Sequence, residues 1–332
     1  MKFLQKIALI FIICLNANSI ELNKNLMMDM GRTYGYYVGQ TYTLDSIEKK
    51  YPSLKNQVFL AKNEFDLKFL KSIKEIEQNF SKNMTKKQWD EFKSNIKNKI
   101  QEQLNYDNMT QQDGLNFIQE VKTRTNGNIE SPVIETLLMF NPTYQKNPIS
   151  ELGDNFYQKY NSKNNPKAKS VDFSIKVPKS WKSQEANRPN IVRKFTSNNG
   201  YLVEDVFMEN IMLLVQDLPF EVNSLTKQDV TDYCNELPEN TILRDCKSTK
   251  LENLPLIIQR IKMNLSRVES SMSMELVQYT IFFKNKVIMI QGQVGTMNYK
   301  VSEKELLERF EKFKPVFSYV ANSLVINDLY IK

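Results

Sequence analysis

Apolar residues follow two different spacings in the two halves of this chain. In the first half they recur every three or four positions, the period of an amphipathic helix. In the second half they alternate with polar residues, the period of a strand with one buried face. The pattern therefore predicts helices before about residue 165 and strands after it. The clearest helix runs from Leu54 to Phe80, and its apolar face consists of Val58, Ala61, Phe65, Phe69, Ile73, Ile76 and Phe80.

The change of pattern lies at the segment from Val171 to Lys182. Its alternation predicts a short strand that ends in a turn at Pro178, with Val171, Phe173, Ile175 and Val177 on one face. The polar stretch from Asn161 to Pro166 has the composition of a linker. We therefore expect a signal peptide at residues 1–19, a helical domain at 20–165 and a sheet domain at 166–332. The predicted fold class is α+β, an all-α bundle followed by an antiparallel sheet flanked by helices.

Several helix starts carry capping signals, in which a hydroxyl residue is followed three positions later by a side chain that can bond back to it. These pairs are Thr85 with Gln88, Thr110 with Asp113, Thr226 with Asp229, and Ser302 with Glu305. Pro315 lies inside the last of these helices. Because proline has no backbone N–H to donate, we expect a kink or a break near Lys314.

Three glycines in the first helix are spaced by four residues, at Gly31, Gly35 and Gly39. On a helix they form one smooth stripe, against which another element can pack closely. We interpret the stripe as a packing surface inside a soluble bundle, and a ligand groove is the alternative.

Residues 1–19 have the organisation of a secretory signal peptide. Two lysines precede the unbroken apolar run from Ile7 to Leu15, and Ala17 and Ser19 supply the small residues that a signal peptidase recognises. The run is too short to span a bilayer, which needs about 20 residues. No later segment is apolar enough to span. We therefore expect cleavage after Ser19 and a mature protein that is secreted or periplasmic.

A lipid anchor at Cys14 is the alternative interpretation of this region. The residue before it is Ile13, which is bulkier than the residue that normally precedes a lipidated cysteine. We therefore prefer the cleaved signal peptide.

The composition is that of a folded protein without a nucleic-acid partner. Hydrophobic residues make up 41% and charged residues 25% of the chain, whereas disordered chains contain fewer apolar residues. The net charge of +7 falls to about +5 once Lys2 and Lys6 are removed with the signal peptide. Nucleic-acid binders concentrate basic residues in one patch. Here the lysines are spread along the chain between acidic residues, so we expect a solvated surface.

The mature chain would retain two cysteines, Cys234 and Cys246. An even pair this close in an exported protein predicts a disulfide. Such a short loop would contribute about 3 kcal/mol of stability in the chain-entropy model. The alternative is a pair of buried free thiols.

The chain contains no histidine. This excludes Ser-His-Asp and Cys-His catalysis, general acid–base chemistry by histidine, and metal sites that use histidine ligands. Two cysteines are too few for a thiolate zinc site, and there is no glycine-rich phosphate loop. We therefore expect no metal and no cofactor.

Enzymes that use carboxylates or lysine remain possible for such a sequence. Glu204, Asp205 and Glu209 lie along one predicted strand, where the adjacent Glu204 and Asp205 face opposite sides. A working pair needs two carboxylates that face each other across a few ångströms. We interpret these acids as solvated strand charges and assign no catalytic residue.

Four short segments mark the predicted elements after residue 170: Val177-Pro-Lys-Ser-Trp181 after a first strand, Leu254-Pro-Leu-Ile257, the hairpin Phe283-Lys-Asn-Lys-Val287, and the closing helix that ends Ala321-Asn-Ser-Leu324. These segments and the order of the elements around them resemble the PsbP-like superfamily over residues 170 to about 327. The resemblance implies an α/β/α sandwich with an antiparallel sheet. It also implies a protein that acts by binding partners, since the superfamily includes an accessory subunit of photosynthetic water oxidation, a nuclear transport factor and bacterial envelope lipoproteins. It shares no catalytic motif that could be carried over.

The candidate binding residues are the aromatic side chains around the predicted linker and turn: Trp181, Phe156, Tyr157 and Tyr160. Aromatic residues commonly anchor interfaces. The alternative is that Trp181 covers the edge of the core. Our first hypothesis is an exported, non-enzymatic binding or accessory protein of the cell envelope that binds a protein. The alternatives are a chaperone-like assembly factor that uses the helical arm, and an enzyme dependent on carboxylates or lysine.

Overall fold

The computed structural model describes residues 24–103, 106, 108–201, 207–267, 270–297 and 301–330. The predicted signal peptide, its cleavage position at Ser19 and the alternative anchor at Cys14 lie outside these residues, as do Glu204 and Asp205. The chain divides into two compact units, a helical unit at residues 21–150 and a sheet unit at residues 151–332.

The helical unit is built from two long helices and several shorter ones. In chain order they are α1 (Lys24–Lys50), α2 (Lys55–Asn83), α3 (Lys86–Gln103), α4 (Gln111–Thr125), α5 (Val133–Met139) and α6 (Pro142–Lys146); a short α7 (Ile149–Gly153) follows at the division between the units. The predicted capping pairs at Thr85 and Thr110 both form.

The core of the helical unit is organised around the apolar face of α2. All seven predicted face residues of α2 are buried. α2 contacts α1, α4 and α5, whose buried residues include Ile47, Ile118, Val121, Val133 and Leu137. The helical period in the sequence therefore identified the buried side of this helix correctly.

The glycine stripe of α1 lies against α3. A Cβ placed on Gly31 would lie 3.4 Å from Phe92 Cζ, and one on Gly39 would lie 3.8 Å from Ile100 Cδ1. Gly31 and Gly39 are eight residues apart, and so are Phe92 and Ile100. The side chains of α3 therefore contact the stripe at matching positions. The stripe serves packing at these two positions.

The described part of the sheet unit contains ten strands and two longer helices. In chain order they are β1 (Tyr157–Asn161), β2 (Phe173–Pro178), β3 (Lys182–Gln184), β4 (Ile191–Thr196), β5 (Phe207–Asp217), α8 (Lys227–Asn235), β6 (Thr241–Leu251), β7 (Leu254–Arg267), β8 (Ser270–Phe283), β9 (Lys286–Met297), α9 (Glu303–Asn322) and β10 (Val325–Ile326). Seven strands form an antiparallel sheet in the order β3-β4-β5-β9-β8-β7-β6. The predicted α+β class is confirmed.

The division between the units falls after Ser150, whereas the sequence placed the boundary at residues 165 and 166. The reason is β1, which lies before the predicted linker and was not predicted as a strand. Its residues Tyr157 to Asn161 pair antiparallel with β2. Strand pairing therefore places the stretch from residue 151 to 165 in the sheet unit.

The strand predicted at Val171 belongs to a small sheet of its own. β2 is the middle strand of a three-stranded sheet in the order β1-β2-β10. Its apolar residues Phe173, Ile175 and Val177 are fully buried, as the alternation predicts.

The two helices of the sheet unit cover opposite faces of the seven-stranded sheet. Tyr233 of α8 bonds to Thr280 of β8, and Arg309 of α9 bonds to Glu209 of β5. Even-numbered residues of β5 and β8 face α8 and odd-numbered residues face α9, because successive side chains alternate along a strand. Both helices begin with the predicted capping boxes, at Thr226 and Ser302.

α9 packs most closely on the sheet where Phe317 contacts Gly292. A Cβ on Gly292 would lie only 2.2 Å from Phe317 Cγ, so the ring occupies the space of a missing side chain on the central strand β9. Phe317 is fully buried. Glycine is required here because the ring approaches the strand backbone directly.

Of the kink or break predicted near Lys314, the break does not occur. α9 is continuous from Glu303 to Asn322, and residues on both sides of Pro315 belong to it. Phe310 and Phe313 before the proline and Phe317 and Val320 after it are all buried. Packing of this apolar face offsets the one hydrogen bond that proline cannot make.

Replacing Gly292 with alanine should destabilise the sheet unit by about 3 kcal/mol, because overpacking a core costs about 1–3 kcal/mol and occasionally more. The free energy of unfolding can be measured in urea by the fluorescence of Trp181, after Trp89 of the helical unit is replaced with phenylalanine in all variants.

Gly295→Ala, on the same strand, is the matched control. Its new methyl group would lie 3.7 Å from the nearest atom, Met272 Sδ, and should change the free energy of unfolding by less than about 1 kcal/mol. Equal losses in the two variants would contradict the seating of Phe317 on Gly292.

Candidate functional site

The turn after β2 places Trp181 in the core of the sheet unit. Its side chain is 4% exposed, and its ring centroid lies 6.3 Å from that of Phe313 and 6.5 Å from that of Phe317, both on α9. The Gln158 side chain on β1 donates hydrogen bonds to the carbonyls of Pro178 and Trp181. The indole therefore packs beneath α9, and its role in binding stays a prediction.

The other three predicted aromatic residues lie on or beside β1. Phe156 is buried, whereas Tyr157 and Tyr160 are partly exposed. The ammonium group of Lys176 lies 4.5 Å from the centre of the Tyr157 ring. The Tyr160 hydroxyl accepts a hydrogen bond from the Asn165 side chain. Since β1 pairs with β2, the structure brings Phe156 and Tyr157 next to the turn that carries Trp181, with Tyr160 further along the strand.

Glu151 fixes this turn, and the sequence analysis missed it. One carboxylate oxygen accepts the backbone N–H of Ser180 at 2.8 Å, and the other accepts the Ser180 hydroxyl at 2.7 Å. Burial in the protein raises the pKa of Glu151 to about 7, and the hydrogen bonds from Ser180 oppose that rise. Desolvation disfavours the charged form, and its effect on the pKa is larger than that of the hydrogen bonds.

Replacing Glu151 with glutamine should remove part of the pH dependence of stability. Below about pH 4.5 Glu151 is protonated in both the folded and the unfolded chain, so it does not lower the free energy of unfolding. As the pH rises toward 7, the carboxyl group ionises in the unfolded chain first, and the free energy of unfolding falls. Each pH unit between the two pKa values corresponds to about 1.4 kcal/mol, so the full cost is about 3 kcal/mol. Unfolding of both proteins in urea at pH 5 and pH 8 measures this difference.

Glutamine can still accept from the Ser180 N–H and donate to its hydroxyl, so the turn should remain intact. Glu308→Gln on the exposed surface of α9 serves as the control and should leave the pH dependence unchanged. The assignment fails if Glu151→Gln loses as much stability between pH 5 and pH 8 as the wild type.

Two carboxylates are buried beneath α9, Glu209 on β5 and Glu275 on β8, and both side chains are fully inaccessible. Each lies opposite Val294 of the intervening strand β9. Neighbouring strands are about 4.8 Å apart, so the two backbones are about 10 Å apart. The two acids come from different strands and lie on one face, so the interpretation of Glu209 as a solvated strand charge is wrong. They lie side by side across β9, whereas a catalytic pair needs carboxylates that face each other across a few ångströms.

Arginine side chains occupy the space around both acids. Arg309 of α9 donates to Glu209 at 2.6 Å, and the Ser197 hydroxyl donates to its other oxygen. On Glu275, Arg244 of β6 donates at 2.9 Å, and Arg260 Nε of β7 lies 3.8 Å from the second oxygen. Each buried carboxylate is therefore paired with at least one guanidinium group.

Further charged side chains lie at the surface around the arginines that pair with Glu275. Arg260 bonds to Glu311 at 2.6 Å, and Glu303 bonds to both Lys262 and Arg244. Lys262, and then Arg244, hold the pKa of Glu303 below its ordinary value, so the stability it contributes is lost as the pH falls through that lowered pKa. The hydrogen bonds that Arg244 donates to Glu303 and Glu275 raise the pKa of its guanidinium group.

We name this set the charged row: Glu209, Glu275, Arg244, Arg260, Lys262, Arg309, Glu303 and Glu311. Its inner acids cannot reach a substrate while α9 is seated, because α9 supplies Arg309 and covers that face. A buried charge that loses its partner destabilises the fold strongly. Since Glu209 lies on the sheet and its partner Arg309 lies on α9, this pairing fixes the position of α9 on the sheet.

Replacing Arg309 with methionine should lower the free energy of unfolding by about 3–5 kcal/mol, because it leaves the buried Glu209 carboxylate without a guanidinium partner. Lys304→Met on the exposed side of α9 is the control. Lys304 is 85% exposed and 3.8 Å from Glu308, and such surface pairs are worth at most about 1 kcal/mol. Equal losses would show that Glu209 does not depend on Arg309.

The opposite face of the sheet carries a belt of buried amides. Gln259, Gln278 and Gln291 lie side by side on β7, β8 and β9, and none is exposed. Gln291 donates to Gln278 at 2.6 Å, and Gln278 donates to the Tyr233 hydroxyl at 2.7 Å. Burial raises the pKa of Tyr233 to about 12, so its hydroxyl stays protonated at neutral pH. The signal available in the sequence was a glutamine within each of these three strands.

The predicted disulfide between Cys234 and Cys246 is confirmed. Their Cα atoms are 5.9 Å apart. The bridge joins α8 to the edge strand β6, and it lies next to the amide belt because Cys246 is opposite Gln259. It therefore holds α8, and with it Tyr233, on this face.

Within the described ranges, no group of three or more acidic or cysteine side chains is arranged to hold a metal ion. In the same part of the chain, no helix combines the length and apolar character needed to cross a membrane.

Comparison with known proteins gives a likeness of fold. No family model matches the chain, and no curated protein matches it. The solved structure of cyanobacterial PsbP (CyanoP) from Synechocystis is 14% identical, covers 51% of this chain and 92% of its own, and has a TM-score of 0.34. LpqN of Mycobacterium tuberculosis, involved in cell envelope biogenesis, is 10% identical, with coverage of 52% and 92% and a TM-score of 0.30.

A structure from Bacteroides thetaiotaomicron is 12% identical over 46% of this chain and 44% of its own, with a TM-score of 0.26. The similarity to the CyanoP and LpqN structures covers about half of this chain. All three structures are less than 25% identical to the chain and have TM-scores below 0.5, so no activity or partner follows from the similarity.

Proposed function

We propose that this is an exported, non-enzymatic binding or accessory protein of the cell envelope, and that it binds a partner protein through one face of α2. This proposal rests on the exposure of three large apolar side chains on that helix. Phe59 is 61% exposed, Leu60 is 51% exposed and Leu67 is 86% exposed. We name these three residues the α2 face.

The α2 face lies away from the core side of the same helix. Leu60 and Leu67 are seven residues apart, nearly two helical turns, and Phe59 is one residue from Leu60, so all three fall within one sector of the helix. Val58, Ala61 and Phe65 point to the opposite, buried side. A helix anchored on one side and apolar on the other can present the second side to a groove on a partner.

Burying these side chains would provide a substantial binding energy. A large apolar side chain contributes about 1.5–3 kcal/mol when it moves from water into a packed interface. The helix is already held by its core, so little ordering cost opposes binding. Aromatic and aliphatic anchors on a rigid element are typical of interface centres.

Two observations support export. The first 19 residues have the pattern of a signal peptide, and the Cys234–Cys246 disulfide is of a kind that persists in oxidising compartments. The predicted binding aromatics Trp181, Phe156, Tyr157 and Tyr160 are not needed for this proposal.

A chaperone-like assembly factor is the second candidate, and the α2 face favours it as well. An exposed apolar surface can hold unfolded segments of many clients. The two functions differ in selectivity, since an accessory protein binds one partner and a chaperone-like helper binds many. An enzyme based on Glu209 and Glu275 is disfavoured by the arginine pairing and burial of both carboxylates.

A photo-crosslinking amino acid at position 67 should yield one discrete adduct in the cell envelope fraction. The same amino acid at Lys304, which is exposed on α9, is the control and should yield none. Phe59→Ser combined with Leu60→Ser should weaken formation of the adduct by at least about 10-fold, because the lost burial exceeds about 1.4 kcal/mol. Both residues are exposed, so the fold should be unaffected.

Other outcomes distinguish the alternatives. A broad set of adducts, together with suppression of the aggregation of a denatured model protein that requires the α2 face, would favour the chaperone-like helper. Turnover of a substrate that is lost in Glu209→Gln or Glu275→Gln, without any adduct at position 67, would overturn the proposal in favour of an enzyme.

A further inference from the structure

Strand register brings several methionines together at one end of the α8 side of the large sheet. Met208 of β5 lies opposite Gly295 of β9, which lies opposite Met274 of β8, which in turn lies opposite Met263 of β7. Four adjacent strands thus form one row that contains three methionines and one glycine. Side chains directly opposite each other on neighbouring strands are about 4.5–5.5 Å apart at Cβ.

A fourth methionine fills the space that the glycine leaves. The position that a Cβ would take on Gly295 is 3.7 Å from the sulfur of Met272 and 3.8 Å from Met274 Cβ. The Met272 thioether therefore lies above the row, between the positions of Met208 and Met274. We name Met208, Met263, Met272 and Met274 the methionine cluster.

The surroundings of the methionine cluster are apolar or neutral. Ile261, Leu276, Leu237 and Leu265 pack against it. On the same face, the next row holds Asn210 opposite Gln293. Asn210 is 1% exposed, and its side-chain oxygen has no hydrogen-bond partner among the described residues. Glu275 and Lys262 alternate with cluster residues along their strands and so face the other side of the sheet.

This donor set suits one class of ion. Thioethers are soft, uncharged ligands that select Cu(I) over the divalent ions that prefer carboxylates or imidazole. A monovalent ion also costs less to bring into an apolar site than a divalent one, because the cost rises with charge. The two cysteines of the sheet unit cannot compete as thiolates, since they form a disulfide.

We propose that the methionine cluster is a Cu(I) site, in which the thioethers of Met208, Met272 and Met274 around Gly295 are the ligands and Met263 lies beside them. Met208 is only partly buried, so its side chain gives the ion access from the surface. The binding is direct coordination of the ion by neutral sulfur, and no electron is transferred.

The test is a competition titration on the mature protein with its disulfide intact. Cu(I) is kept reduced and anaerobic and is shared with the chromophoric chelator bicinchoninate, and Ag(I) is titrated as a redox-inert probe. The wild type should bind one equivalent, with sulfur scatterers in the X-ray absorption spectrum, and should bind no Zn(II). Met272→Leu combined with Met274→Leu should weaken Cu(I) binding at least about 100-fold, since even changes beside a metal ligand cost about 10–100-fold.

Met212→Leu combined with Met289→Leu is the matched control. Both residues are buried on the same face but belong to a different cluster, near Tyr233, so this variant should bind Cu(I) as the wild type does. Leucine conserves the volume of methionine, and circular dichroism checks that both variants are folded. The proposal is overturned if the wild type binds no Cu(I) at micromolar concentrations, or if the two double variants bind it equally well. In either case the methionines act as core packing.

Discussion

The contact of Phe317 with Gly292 is the interaction on which the sheet unit depends. A helix can approach a strand this closely only where the strand has no side chain, and β9 is the central strand of the sheet. Once Phe317 is seated, Trp181 packs against it and against Phe313. The small sheet around β2 is thereby joined to the large one through aromatic contacts under one helix.

The two faces of the large sheet use different polar chemistry for the same purpose. Under α9 the charged row pairs arginines with the buried Glu209 and Glu275. Under α8 the belt of neutral amides is held by Tyr233 and by the disulfide. Groups of this kind tolerate few alternative registers, because a shift of one residue would move each of them to the opposite face. Apolar packing supplies most of the stability, and the polar rows specify which register is adopted.

Much of this architecture follows from local sequence patterns. The buried face of α2, the capping boxes, the hairpin between β8 and β9 and the Cys234–Cys246 bridge could all be predicted, because each depends on residues close together in the sequence. Local patterns did not identify β1, because its five residues show no regular alternation of apolar and polar side chains, and only pairing with β2 makes them a strand. Nor could they show that Pro315 stays helical, since that depends on packing of α9 against the sheet.

The candidate sites were harder to predict, for the same physical reason. Trp181 was identified as notable from its turn, but its burial depends on Phe313 and Phe317, more than a hundred residues later in the chain. Glu275 reads as one acid in a strand, and only the fold surrounds it with Arg244 and Arg260. The α2 face cannot be recognised from the sequence, because leucine and phenylalanine are common in helices. Only the fold shows that these three side chains are exposed.

The pairing of β10 with β2 has a consequence for the order of folding. Val325 and Ile326 pair with Ser174 and Phe173, and the Ser323 hydroxyl accepts the backbone N–H of Lys176. The strands β6 to β9 pair mainly with their neighbours in sequence, and such local contacts form fast, whereas distant ones form slowly. A chain made from its N-terminus can therefore complete this meander while β2 still has one open edge. Open edges invite pairing with other chains, so β2 stays vulnerable to aggregation until residues 323–326 arrive.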